Sequence, residues 1–332
     1  MDKKVLRNYL INALAIIVVF LILKVLMSAG VITRYHQGII VFILINVILA
    51  VSLNLAVGFL GQLTLGHAGF MAVGAYVSAI TAVGITANFP GMPKLLVLII
   101  SLSLAAIISA LTGVAIGIPA LRLRGDYLAI ITLGFGEVIR VVINNIKVTG
   151  GAQGFTGIPK ISTFDNVFWI TVLCVAFLYT LTHSRQGRAI VSIREDEIAA
   201  EAVGVKTTSF KVMGFAIAAG LAGIGGGLYA HYIAFLDPNT FGFMRSVEIL
   251  IIVVLGGMGS LTGSIIAAIV LTIMPEALRS FNELRLLLYA LLLVVMMIFR
   301  PSGLFGTEEF SWQKIYDRYK DRKDAVAKRE KA

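Results

Sequence analysis

Three groups of residues in this chain combine types and spacing that could do chemistry. Glu137 and Arg140 stand three apart in the apolar run Leu133-Gly134-Phe135-Gly136-Glu137-Val138-Ile139-Arg140. That spacing puts both on one helical face, where they can pair. Alone at a bilayer centre each would cost roughly 2.5–3.5 kcal/mol, so the pair must face protein or water. Two uses stay open: a group that handles an ion or substrate, or a structural pair with Arg140 reaching toward Asn144 and Asn145. The second group spans Asn54–Tyr76, where Asn54, Gln62, Thr64 and His67 offer polar atoms among Gly58, Gly61, Gly66, Gly69 and Gly74. At membrane depth, non-helical backbone survives only where protein buries it or water lines it. The segment is therefore expected to form part of a translocation path or gate. The alternative is close packing, with each polar group bonded to a neighbouring helix. The third group is Arg194, Glu195, Asp196, Glu197 and Glu201, followed by Gly204. Ile198, Ala202 and Val205 fall at i, i+4 and i+7 among them. This predicts a short amphipathic helix over 194–203, stopped at Gly204, able to dock in a groove on a soluble partner.

Enzymatic chemistry has little to work with. No G-x-x-x-x-G-K-[ST] occurs, and no Gly is followed by Lys, so the chain has no P-loop for ATP. H-E-x-x-H and G-x-S-x-G are absent too, and His36, His67, His183 and His231 are too scattered in sequence for a metal cluster. Cys174, the single cysteine, lies in an apolar run and is expected to be a small core residue. No catalytic residue, cofactor or metal is expected.

The elements that must hold these residues are membrane spans. Of 332 residues, 58% are hydrophobic and 14% charged, with a mean hydropathy of +0.92. A soluble domain carries roughly 25% charge. Candidate spans fall at 9–27, 38–57, 66–86, 95–118, 128–146, 167–183, 212–235, 246–258, 263–280 and 285–300. The fold expected is an all-α polytopic membrane protein of about ten helices (eight to ten), formed by residues 1–300 and followed by a basic tail, 301–332. The apolar run after Lys3, Lys4 and Arg7 is too long for a signal-peptide core and is not followed by an A-x-A site, so it is expected to remain as the first span.

With the N-terminus inside, 19 of the 28 basic residues fall on the cytoplasmic side, mostly in the 184–211 loop and the tail. The asymmetry predicts that both termini are cytoplasmic. The basic residues sit in connections and termini, so the net charge of +10 reflects membrane orientation and excludes nucleic acid as a partner.

Finer features concern the breaks between spans. Leu255-Gly256-Gly257-Met258-Gly259-Ser260-Leu261-Thr262-Gly263 echoes Leu60–Gly66; each follows one apolar span and opens another. Gly66, Gly69, Gly256, Gly257 and Gly259 are expected to break helices or let them pack closely, as discontinuous helices do at transporter sites. GxxxG spacings at Gly113/Gly117, Gly223/Gly227 and Gly259/Gly263 mark close helix contacts.

Asn54–Tyr76, Gly125-Asp126-Tyr127-Leu128-Ala129 with Thr132–Glu137, Thr149–Gly154, Arg194–Val205 and Leu255–Gly263 together resemble the LivM-type permease subunit of branched-chain amino-acid ABC importers. The resemblance runs in order along nearly the whole chain. It implies a bacterial or archaeal inner-membrane protein that pairs with a second, LivH-type permease. It also implies two ABC ATPase subunits beneath and an extracytoplasmic substrate-binding protein above. The 194–205 segment would be the coupling helix seated in the ATPase groove. The same family architecture also carries urea, short amides and other amino acids. A stand-alone secondary transporter, with Glu137 taking a proton or ion, is the rival class; it has no need of a docking helix.

Overall fold

The structure, a computed structural model, describes residues 3–281 and 284–299, with Gly303 and Gly306. The predicted tail lies otherwise outside the described residues. Twelve α-helices occur among the described residues: α1 (Lys3–Ser28), α2 (Arg34–Asn54), α3 (His67–Asn88), α4 (Lys94–Ala120), α5 (Asp126–Asn145), α6 (Phe164–His183), α7 (Arg185–Glu195), α8 (Glu197–Ala202), α9 (Thr207–Ile233), α10 (Phe243–Gly256), α11 (Leu261–Ala277) and α12 (Leu284–Phe299). Among these residues there is no strand, only an isolated bridge between Phe155 and Leu236. Every predicted span falls on one of these helices. Five stretches are long and apolar enough to cross a bilayer by length and composition: Arg34–Phe59, His67–Asn88, Lys94–Ala120, Phe164–His183 and Thr207–Ile233. Leu14–Ser28 and Leu261–Ala277 are shorter apolar helices.

Local chemistry sets several boundaries. Thr33, Thr163, Ser184 and Ser260 each accept a backbone N–H of the helix they precede, satisfying one of its orphan donors. α9 stops at Ala234, in the left-handed conformation. α2 loosens into a π turn over Leu55–Phe59, then into the irregular 60–66 link, where Gly61 turns left-handed.

Three expectations need correction. The 184–211 loop is mostly helical: α7 was not predicted, because Arg185–Glu195 is too polar to read as a span. Arg194 and Glu195 close α7, and the short helix starts at Glu197, because Asp196 is extended and caps Ile198 and Ala199 through Oδ1 (2.9 and 3.0 Å). The candidate span 246–258 lies on α10, which starts earlier, at Phe243, so Arg245 lies in its first turn.

α9 lies against α2, α3 and α4, and glycines set how closely. A Cβ on Gly74 would collide with the backbone of Gly223, and one on Gly226 with the Met71 carbonyl. Gly113 of α4 lies against Ala219, so the backbones of α3, α4 and α9 meet almost directly, the packing that small residues permit where no hydrophobic drive separates lipid from protein. His231, fully buried on α9, ties the trio together through Ser78 (2.9 Å), Ser101 (3.4 Å) and the Pro159 carbonyl (3.2 Å). The outward face of α4 stays apolar and uncovered, with Leu95, Ile99, Ile107 and Leu111 exposed, as a lipid-facing surface would be.

Candidate functional site

The two glycine-rich breaks meet in space. Asn54, at the end of α2 and fully buried, donates through Nδ2 to the Ser260 carbonyl (2.9 Å) and Ser264 Oγ (2.8 Å). Its Oδ1 accepts the Gly259 N–H (2.9 Å). One amide thus closes the turn between α10 and α11 onto α2. Gly58 has no room for a Cβ between Asn54 and the Gly259 backbone. Gly256 packs against Gly263, and Gly257 against Gly306.

Arg194 enters the same junction from the cytoplasmic loop predicted by sequence. Its Nη1 donates to the Gly58 carbonyl (2.7 Å) and faces Gly259, while Gly61, at φ +73°, lies against its aliphatic stem. A π turn leaves carbonyls without helical partners, and a guanidinium supplies a charge-assisted bond there. Arg194 therefore points inward, where sequence reading put it on the docking face.

α8 is held from behind. Glu197 accepts from Lys211 Nζ of α9 (2.6 Å) and lies 3.6 Å from Arg124. Lys211 is buried on α9, so Glu197 serves as its counter-charge and is likewise turned inward. Glu201 accepts from Thr207 Oγ1 (2.5 Å) at the start of α9. Gly204 ends the helix at φ +88°. The outer side carries Ile198 and Val203, 75% and 80% exposed, with Glu195 and Asp196 also exposed.

His67 opens α3 and is buried, with Nε2 2.9 Å from Ser52 Oγ of α2. The next residue's N–H is accepted by Ser246 Oγ of α10 (3.0 Å). Gly66 and Gly69 let this end of α3 lie on Thr132 and Gly136 of α5. Thr64 is buried and Gln62 half-buried in the 60–66 link. Asn54 and His67 are thus closed off from solvent and engaged in packing bonds. Both side chains pin the breaks.

Glu137 and Arg140 do pair, Nε to Oε2 at 2.7 Å, both half-buried. The other Glu137 oxygen accepts the Phe243 N–H (2.9 Å), and Arg140 Nη1 donates to Asn239 Oδ1 (3.1 Å). The carboxylate satisfies an orphan N–H at the positive end of α10, and the pair anchors the 238–243 turn.

That turn forms one wall of a cavity of about 500 Å³ between α2, α9, α10 and α11. Asn239 and Gly242 line it, with Asn46, Thr240, Arg245, Glu248, Thr272 and Glu276 among its polar groups and Ile39, Phe42 and Met244 on its apolar side. Arg245 donates to Asn46 Oδ1 (2.6 Å) and Glu248 Oε2 (2.8 Å), and Asn46 Nδ2 donates to Thr272 Oγ1 (2.9 Å). Sequence reading missed these residues. The signal was available: Arg245 and Glu248 have the same i, i+3 spacing as Glu137 and Arg140. Among the described residues, no group of three or more His, Cys, Asp or Glu stands ready to hold a metal.

A family profile described as the permease component of branched-chain amino acid transport systems matches residues 35–299. The chain is 38% identical to the high-affinity branched-chain amino acid transport system permease protein LivM of Salmonella typhimurium, over 79% of this chain and 68% of that one. The LivM protein of Escherichia coli K12 matches at the same identity and coverage. The LivH permease protein of Escherichia coli K12 is 30% identical, over 51% of this chain and 55% of its own. No solved structure matches significantly.

Proposed function

The chain belongs to the family of branched-chain amino acid transport permeases, and we propose that it is the integral-membrane permease subunit of an ATP-driven importer for leucine, isoleucine and valine. A second, LivH-type permease completes the translocation path with it. Two ABC ATPase subunits bind from the cytoplasm and carry out the ATP hydrolysis, and an extracytoplasmic binding protein delivers the cargo. The protein resides in the plasma (inner) membrane of a bacterium or archaeon as about ten helical segments (eight to ten), both termini cytoplasmic. The similarity over residues 35–299 supports the reading most directly.

The coupling route follows from the residues. Closure of the ATPase pair moves α8, which offers Ile198 and Val203 outward as the apolar anchors of a helix in a groove. Its inner side passes the movement on through Glu197–Lys211 to α9. The adjoining end of α7 passes it through Arg194 to Gly58, where both glycine breaks meet. Bistable breaks of this kind convert a small push into a change of access. Purification of the chain with its ATPases and binding protein, followed by uptake of radiolabelled leucine into vesicles, tests the reading. ATP-dependent accumulation is expected; accumulation by this chain alone, without ATP, overturns it.

A further inference from the structure

The cavity has the Arg245–Glu248 pair on one wall, Glu276, which pairs with Arg279 outside the lining, on another, and apolar side chains beside them. Resting on the transport reading above, we propose that it is a way-station for an amino-acid zwitterion, with Arg245 taking the α-carboxylate and Glu248 the α-ammonium group. Its volume, about 500 Å³, lies within the range of small-molecule sites, roughly 300–1,000 Å³.

Three features carry the assignment. Arg245 is preset: Asn46 holds Nη2 at 2.6 Å, and Asn46 is itself fixed by Thr272 at 2.9 Å. The guanidinium therefore keeps its position when its other bond exchanges. Glu248 is the movable half, its side chain 57% exposed against 19% for Arg245. Finally, the wall is built from α10's first turn and the 238–243 turn, which Glu137 and Arg140 tie to α5.

The resting Arg245–Glu248 pair at 2.8 Å supplies the chemistry. A zwitterion placed between the two replaces one ion pair with two and adds no net charge. The carboxylate takes the place of Glu248 on Nη1 in a charge-assisted hydrogen bond, and the freed Glu248 receives the ammonium. Ile39 and Phe42 then border the aliphatic side chain. A neutral molecule such as urea or a simple amide cannot separate the ion pair this way, so the site selects against uncharged cargo.

The test uses the assembled transporter carrying Met244→Cys. Met244 is exposed at 71% and the single native cysteine, Cys174, is buried, so a charged, membrane-impermeant thiol reagent reports on the cavity. Leucine at ~10 times its Kd should slow labelling about tenfold, urea should not, and completed labelling should block uptake. Adding Arg245→Gln or Glu248→Gln should leave labelling intact and abolish leucine protection. The Glu248 variant answers the question if loss of Arg245 prevents assembly. A complex that pumps leucine but labels at the same rate with and without it overturns the cavity assignment alone, as does equal protection by urea. A wild-type complex that pumps no branched-chain amino acid overturns the transport reading itself.

Discussion

At the residue scale, the polar side chains in the apolar runs divide by what they touch. Asn54 is a cross-link: its three bonds reach Gly259, Ser260 and Ser264. Asn54→Leu keeps much of the volume but strands those partners. Each buried group left unsatisfied costs about 1–3 kcal/mol, so a large loss of thermal stability is expected in the purified protein. An unchanged melting temperature would contradict the cross-link. Glu137 is also engaged on both oxygens, by Arg140 and the Phe243 N–H. Glu137→Gln should lower the amount of protein in the membrane while uptake per molecule falls less than severalfold. Normal protein level with lost uptake would instead favour an ion-handling role. The sequence revealed that Asn54, His67 and Glu137 were unusual, because polar groups in apolar runs are costly. It could not reveal their partners. Those of Asn54 lie about 200 positions away, and only folding decides that the Asn54 amide meets Gly259 rather than water.

At the scale of elements, the helices were legible from hydropathy, whereas the breaks were legible only as glycine clusters. Composition marks that a backbone approaches closely somewhere, not what it approaches. Gly74 and Gly84 sit on the same helix and make the point measurable. A Cβ at Gly74 runs into Gly223, while one at Gly84 meets nothing within 4 Å. Gly74→Ala should destabilise by roughly 1–3 kcal/mol through overpacking; Gly84→Ala should be neutral or add up to about 1 kcal/mol of helix propensity. Equal effects in a thermal-melt comparison would dissolve the α3–α9 seam as an explanation.

The α7–α8 segment calls for a second contrast. Ile198 was marked by its helical spacing, but Val203, the other exposed apolar residue, was not; nor was the inward turn of Arg194 and Glu197, because charge in a loop reads as solvated until a carbonyl or a buried lysine is found beside it. Arg194→Ala removes a charged hydrogen bond worth about 1.5–3 kcal/mol between α7 and Gly58. The assembled transporter should then retain its ATPases and hydrolyse ATP while importing less leucine per ATP. Ile198→Asp with Val203→Asp should instead release the ATPases during purification. If the two variants behave alike, inner and outer sides of the segment have no separate roles.

At the scale of the whole molecule, the arrangement depends on which side of the bilayer each connection occupies, and one helix is enough to test it. Gln153 precedes α6 and Lys206 follows α8, and both are exposed. Between them the one span-length apolar stretch is α6, of 20 residues. At about 1.5 Å per residue it covers ~30 Å, the thickness of the hydrocarbon core. α7 cannot serve as a second crossing, since Arg185, Arg188, Arg194 and Glu195 occupy an 11-residue helix. On the proposed topology the chain changes sides once between these positions. Cysteines introduced singly at Gln153 and Lys206, with Cys174 buried, should react with an impermeant reagent from opposite faces: Gln153→Cys in intact cells, Lys206→Cys only after the membrane is opened. Labelling of both from outside would place α8 away from the cytoplasm, and no ATPase could then reach Ile198 and Val203.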